Sequence, residues 1–232
     1  METTTTPAPS IAPQDVHETL GKWMLVDGLP LVVDLDASHG GILVDSRSGR
    51  EYLDFFGCFG SSPLGWNHPA LRDPAWQQGV GQALANRVSN SDFYTVQMAR
   101  FVKAFAESTL PQGYHHLFFI DGGALAVENA LKTAFDWKVR RNRAKGVDAD
   151  VGTRILHFRH AFHGRSGYTM SLTNTLPEKV RYFPKFDWPR VSSPAVTFPL
   201  TEDHLRDARC AEETSLAEID AAFEKHGDDI AG

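Results

Sequence analysis

The chain has 232 residues, 42% hydrophobic and 22% charged, which fits one large globular domain or one domain with a small appendage. A formal net charge of -6 gives no support to a nucleic-acid or anionic-membrane partner. Cys58 and Cys210, far apart in sequence, suit a reducing cytoplasm better than a disulfide framework, and no apolar run approaches a bilayer span, so a soluble, cytoplasmic protein is expected.

Residues 1–14, rich in Thr and Pro, lack the basic and apolar regions of a secretory signal and read as a disordered lead-in. Asp15 opens a helical segment, DVHETLGKWML, with Val16, Leu20, Trp23 and Met24 able to share a face. Residues 31–35 (LVVDL), 42–45 (ILVD) and 52–55 (YLDF) read as a small meander, with Ser46-Arg47-Ser48-Gly49 as a turn. The stretch FFGCFGSSPLGWNHP, residues 55–69, suits close backbone approach, to a ligand, a neighbouring chain or the protein's own surface. Helical patterns follow at 75–86 and 95–108; in the second, Met98, Phe101, Val102 and Phe105 form a stripe read as core.

Residues 117–138, LFFIDGGALAVENALKTAFDWK, organise the rest of the chain. Leu117, Phe118, Phe119 and Ile120 have the length and type of a strand buried on both faces. Asp121 can cap the following helix, and Gly122 and Gly123 leave no side chain over its mouth. Val127, Ala130, Leu131, Ala134 and Phe135 keep helical spacing, with Glu128 and Lys132 placed as an exposed pair. A strand that ends in glycines at a helix N-terminus can hold an anion, because unpaired N–H groups converge there; a tight turn without a ligand fits equally well. The segment GGALAV matches neither the dinucleotide nor the P-loop fingerprint.

RNRAKGVDADVG reads as a polar linker and residues 154–158 (RILHF) as a second strand, so strand–helix–strand order predicts an α/β domain with parallel pairing. Both strands then deliver their following loops, 121–124 and 159–166, to one sheet edge, where such folds bind ligands. In the second loop, HAFHGRS, Phe162 and His163 can stack on a planar ring and Arg165 can hold a carboxylate bidentately. Residues 168–172 offer a further strand, and 177–199 read as irregular. A helix is expected over 215–225 with Leu216, Ile219, Ala222 and Phe223 on one face, Gly227 as its C-cap and 229–231 as the start of a strand. A zinc hydrolase built on His157, His160 and His163 is a weaker alternative, because period-three residues on a strand alternate faces.

Five segments, YLDFFGCFGSSPLGWNHPAL, SNSDFYTVQMARF, HLFFIDGGALAVENALKTAFDWK, HAFHGRSGYTMSLTNT and RYFPKFDWPR, resemble in type and order the class III pyridoxal-phosphate aminotransferases, and within them the lysine ε-aminotransferases. The resemblance implies an α/β fold of PLP-dependent transferase fold type I: an incomplete large-domain mixed or parallel sheet with helices on both faces, plus part of an N-terminal small domain. Its boundaries would be 15–65 for the small-domain segment and 66–232 for the first part of the cofactor-binding domain. It implies pyridoxal 5'-phosphate as cofactor, with Gly123 and Ala124 giving N–H groups to its phosphate. Phe162 would stack on its ring with His163 alongside, and Arg165 would hold the substrate carboxylate. Residues 57–62 and 90–92 would contribute to a site at a homodimer interface.

The implied reaction is L-lysine 6-transamination, in which the ε-amino group passes to the cofactor and then to 2-oxoglutarate. The family's Schiff-base lysine has no counterpart here, since Lys132, Lys138 and Lys185 fall elsewhere. The expectation is an N-terminal portion, inactive and poorly stable alone. A non-catalytic homologue that binds the cofactor or an intact aminotransferase subunit is the alternative.

Overall fold

The computed structural model describes residues 10–86, 92–147 and 151–232, which fall into two compact units, Met1–Pro111 and Gln112–Gly232. The change of segment expected at 65/66 lies inside the first unit.

In the first unit, a 3-10 turn at Pro13–Asp15 leads into α1 (Val16–Gly21). The expected helix continued to 25, but it stops at glycine, which costs about 1 kcal/mol in a helix interior, and Trp23 is 88% exposed. Residues 31–35 form no strand. Val33 makes one bridge to Asp45, and the Asp34 carboxylate then accepts from the N–H groups of Asp36 and Ala37, folding the chain into a turn.

Strands β1 (Ile42–Val44) and β2 (Glu51–Leu53) make the predicted antiparallel hairpin, with Leu43 opposite Tyr52. At its base the Asp45 carboxylate accepts from Val32 N at 3.0 Å and Ser48 Oγ at 2.6 Å. After β2, the Asp54 carboxylate accepts from Phe56 N, Gly57 N and Trp66 Nε1. Gly57, Cys58, Phe59 and Gly60 then all take positive φ, a short left-handed turn. Gly65, at φ +70, lies against the Gly40 backbone, so one close approach in this stretch is to the protein's own surface.

Helix α2 (Pro74–Asn86) and helix α3 (Val96–Thr109) follow, the latter capped by Thr95 Oγ1 accepting from Met98 N. The α3 stripe is not core: none of Met98, Phe101, Val102 and Phe105 is buried, although Phe101 and Phe105 touch at 6.0 Å between ring centroids.

The second unit departs from expectation at its start. Residues 117–120 join no ladder among the described residues, and Phe118 is 70% exposed. Helix α4 (Gly123–Ala144) runs on through RNRA, the start of the expected linker; Arg141 and Arg143 in its last turn complement the negative end of the helix.

Residues 154–158 do form the centre of a parallel arrangement. Strand β3 (His157–Phe158) pairs in parallel with β4 (Arg190–Val191), and Arg154 bridges in parallel to Ile230. The expected partner, 117–120, is therefore replaced by two later segments. One lies inside 177–199, a stretch whose sequence predicts irregular structure; the other is the strand start expected at 229–231.

Residues 168–172 form α5 (Gly167–Leu172) rather than a strand. Helix α6 (Glu202–His226) starts well before the expected 215 because Thr201 Oγ1 accepts from His204 N, and it ends at Gly227 as predicted. The predicted face is turned inward only in part: Ile219 and Ala222 are half-buried, Leu216 and Phe223 are exposed, and buried Ser215 and half-buried Glu218 bond to Ser192 beside β4.

The core of this unit joins Leu131 of α4, Ile155, Leu172 of α5 and Trp188, with Val127, Phe135 and Tyr168 packed against it. Phe186 stacks on Trp188 at 4.9 Å and Phe135 meets Tyr168 edge-on at 5.6 Å.

Candidate functional site

Two loops approach each other at the start of α4. Gly122 is the N-cap at φ 79 and ψ 152, a conformation open to glycine alone, and no side chain caps the helix. Asp121, expected to fill that role, does not. Among the described residues no acceptor meets the N–H groups of Gly123 and Ala124, so the helix mouth keeps its donors free for an anion.

The loop 159–166 closes on that mouth through Gly164, which is buried at φ +111. A β-carbon there would stand 2.9 Å from the Ala124 Cα and 3.1 Å from Thr169 Oγ1, so only glycine fits. Residues 121–124 and 159–166 thus meet at Gly164 and Ala124, although 117–120 joins no ladder among the described residues that would make this one sheet edge.

Other side chains hold the loop from behind. Thr173, buried, accepts from His163 N at 3.0 Å and donates to the Gly164 carbonyl. Asn174 donates from its backbone N to the Ala161 carbonyl and from Nδ2 to the Arg159 carbonyl, both at 2.9 Å. Glu128, buried on the second turn of α4, accepts through Oε1 from Ser166 Oγ and Tyr168 N at 2.7 Å and from Thr169 N at 3.3 Å. The expected surface pair of Glu128 with Lys132 is therefore absent. The α5 amides compete for the carboxylate in a dry setting, where a charge-assisted bond outweighs a solvated pair.

Against this frame, Phe162 is 61% exposed, His163 is half-buried, and Arg165 is exposed with no partner among the described residues. The site thus brings together the free N–H groups of Gly123 and Ala124 and a loop that carries an available aromatic face and a free guanidinium.

The three histidines do not form a metal site. His157 Nδ1 bonds to the Ile155 carbonyl and Nε2 accepts from Arg190 Nε at 2.9 Å, so its ring is fully used. Burial, with help from the Arg190 charge, holds this imidazole below its ordinary range and keeps it neutral. Among the described residues no group of three metal-binding side chains converges.

Of the lysines, Lys138 pairs with Asp228 at 3.3 Å and Lys185 donates to the Val180 carbonyl, so both are engaged away from the loops. Lys132 lines a groove of about 490 Å³ with Phe118, Ala126, Asn129 and Thr133, and that groove contains none of the loop residues. Of the interface residues expected at 90–92, Asn90 and Ser91 lie outside the described residues.

Sequence reasoning missed Glu128, Thr173 and Asn174. Glu128 carried a signal: Ala124, Glu128, Leu131 and Phe135 follow one helical stripe, and a carboxylate on a stripe that ends in core residues calls for a buried partner. Thr173 and Asn174 carried none, because their role depends on where the loop returns.

The family model for class III aminotransferases matches residues 25–232. The chain is 53% identical over 220 residues to an L-lysine-epsilon aminotransferase of Mycobacterium tuberculosis, covering 94% of this chain and 48% of that protein. It is 51% identical to the enzyme of that name from Streptomyces clavuligerus, covering 90% of this chain and 46% of that one. A solved structure of lysine aminotransferase from M. tuberculosis in the internal aldimine form superposes with a TM-score of 0.89 at 52% identity, covering 95% of this chain and 50% of that chain. The chain spans about half the length of the curated relatives it matches.

Proposed function

The chain belongs to the class III aminotransferases, and we propose that it is the N-terminal, cofactor-holding portion of a pyridoxal-phosphate-dependent L-lysine 6-aminotransferase that uses 2-oxoglutarate as acceptor. The observation that carries the proposal is the meeting of loop 159–166 with the α4 mouth at Gly164 and Ala124. The residues present fit pyridoxal 5'-phosphate: free N–H donors at a helix start suit its phosphate, and an exposed flat side chain nearby suits its ring.

When bound, this cofactor supplies an electron sink for the carbon that bears the amine. The chain's own residues then bind and orient. Gly123 and Ala124 donate N–H groups to the phosphate, and the helix dipole favours its charge. Phe162, with His163 beside it, covers the ring face and excludes water from it. Arg165, held two residues from the latch at His163, offers its planar fork to a carboxylate and so aligns a long amino acid with its far amine inward.

We place residues 15–65 in a small domain and 66–232 in the cofactor-binding domain, with a homodimer as the working form, no nucleic-acid or membrane partner and a cytoplasmic setting. Two free thiols support that setting, and among the described residues no helix is long and apolar enough to cross a membrane. The second reading, a non-catalytic homologue that holds the cofactor, is favoured by the commitment of Lys138 and Lys185 elsewhere.

Titration of the purified chain with pyridoxal phosphate, followed by induced circular dichroism, tests the proposal, with phosphate-free pyridoxal as control. An induced signal for pyridoxal phosphate that pyridoxal cannot match is expected. Equal response to both would remove the phosphate cup from the account.

A further inference from the structure

Glu128 is the one carboxylate in α4 whose side chain is buried, and among the described residues it pairs with no cation. Its Oε1 instead gathers Ser166 Oγ, Tyr168 N and Thr169 N, all immediately after Arg165. The same helix begins with the free N–H groups of Gly123 and Ala124. One rigid element therefore holds both ends of the site: the anion mouth through its backbone, and the loop of Phe162, His163 and Arg165 through one side chain.

The two attachments differ in kind. Gly164 against Ala124 limits how close the loop can come. It does not stop the loop from swinging away. Thr173 and Asn174 tie the loop to the far end of α5 and the chain just beyond it, so they move with α5 if it moves. Among the described residues the Glu128 bonds are the polar link between α4 and the start of α5; beside the apolar packing of Phe135 on Tyr168 and of Leu131 with Leu172, they fix the start of α5, and with it the loop that carries Arg165, relative to the mouth.

We propose that Glu128 is a positioning residue that couples the phosphate end of the site to its ring and carboxylate end. The coupling to a bound cofactor rests on the reading of the α4 mouth given above; the hold on the loop does not. Removing the carboxylate loosens the loop at the start of α5, while the apolar packing of α5 on α4 and the mouth itself stay in place. Recognition of phosphate alone is then unchanged, and recognition of phosphate plus ring is lost.

The test compares Glu128→Ala and Glu128→Gln with the unaltered chain, by amide hydrogen exchange and by binding of pyridoxal phosphate and of inorganic phosphate. Glu128→Ala is expected to speed exchange over 161–169 by about tenfold or more, with α6 unaffected and Glu128→Gln, which keeps an acceptor, in between. Affinity for pyridoxal phosphate should fall about tenfold while affinity for inorganic phosphate holds. Unchanged loop exchange, or equal loss of both ligands, overturns the assignment. Should the unaltered chain bind neither ligand, the cofactor reading fails, and the hold on the loop is still decided by the exchange rates. If Glu128→Ala does not fold, Glu128→Gln decides: loop exchange and ligand preference identical to the unaltered chain in the presence of a lost charge would overturn the role of the carboxylate.

Discussion

Gly164 rests on Ala124 so closely that a β-carbon on the glycine would stand 2.9 Å from the alanine Cα. The contact joins two segments forty residues apart and defines the site edge. With φ at +111, Gly164→Ala is penalised twice, by backbone strain of about 1–3 kcal/mol and by overlap. Thermal unfolding should fall by several degrees, and affinity for pyridoxal phosphate should fall with it.

Thr173→Val keeps the shape of the side chain and removes its hydrogen bonds. His163 N and the Gly164 carbonyl both lose their partner, at about 1–3 kcal/mol for the buried carbonyl and less for the half-buried His163 N–H. Chemical denaturation should show the loss, and hydrogen exchange should place it in the loop and not in α6.

His157 gives stability a pH dependence of known sign. Its folded value is held below the ordinary 6.5 by burial first, so the unfolded chain binds the proton more readily. The contribution is complete above about 6.5 and is lost as pH falls through that value toward the lower folded one. Melting temperature should therefore drop between about pH 7.5 and pH 5.5, and His157→Gln should flatten that slope. More acidic solutions bring in Glu218, lowered mainly by the Ser192 N–H, and Asp54, lowered mainly by the Gly57 N–H; each adds stability above its ordinary value that protonation removes.

Arg165→Ala should separate cofactor from substrate. Pyridoxal phosphate affinity should stay within about twofold, while spectral perturbation of the bound cofactor by L-lysine or 2-oxoglutarate weakens about tenfold or more. Arg165→Lys should not rescue it, since a point charge cannot reproduce a planar fork. Comparable loss of cofactor and substrate would place Arg165 at the phosphate instead.

The local features of the site were legible because they depend on short-range chemistry. Gly122 and Gly123 before an apolar helical stripe mark a helix start clear of side chains, with an anion cup and a ligand-free turn both open and Asp121 expected as a cap, and HAFHGRS places an aromatic and a guanidinium within four positions. What failed depends on partners distant in sequence. Residues 117–120 have every intrinsic property of a buried strand, but burial and pairing come from neighbours, and no ladder forms among the described residues. Residues 168–172 carry strand-type side chains, yet Glu128, forty residues earlier, accepts from the Tyr168 amide and favours a helix there. Hydrophobicity groups Leu216, Ile219, Ala222 and Phe223 on one face of α6, but only Ile219 and Ala222 are half-buried, and Ser215 and Glu218 dock the helix because Ser192, just after β4, offers it backbone polar groups.

Phosphorus-31 NMR of pyridoxal phosphate in the presence of the purified chain reads the α4 mouth through the phosphate it is assigned to hold. With the α4 mouth holding the phosphate, the resonance should shift on addition of the chain and return when inorganic phosphate is added in excess. The Gly164→Ala chain should shift it less at the same concentration. A resonance that stays at its free position with the chain in excess, or a shift that inorganic phosphate cannot reverse, would contradict the assignment of Gly123 and Ala124 to the cofactor.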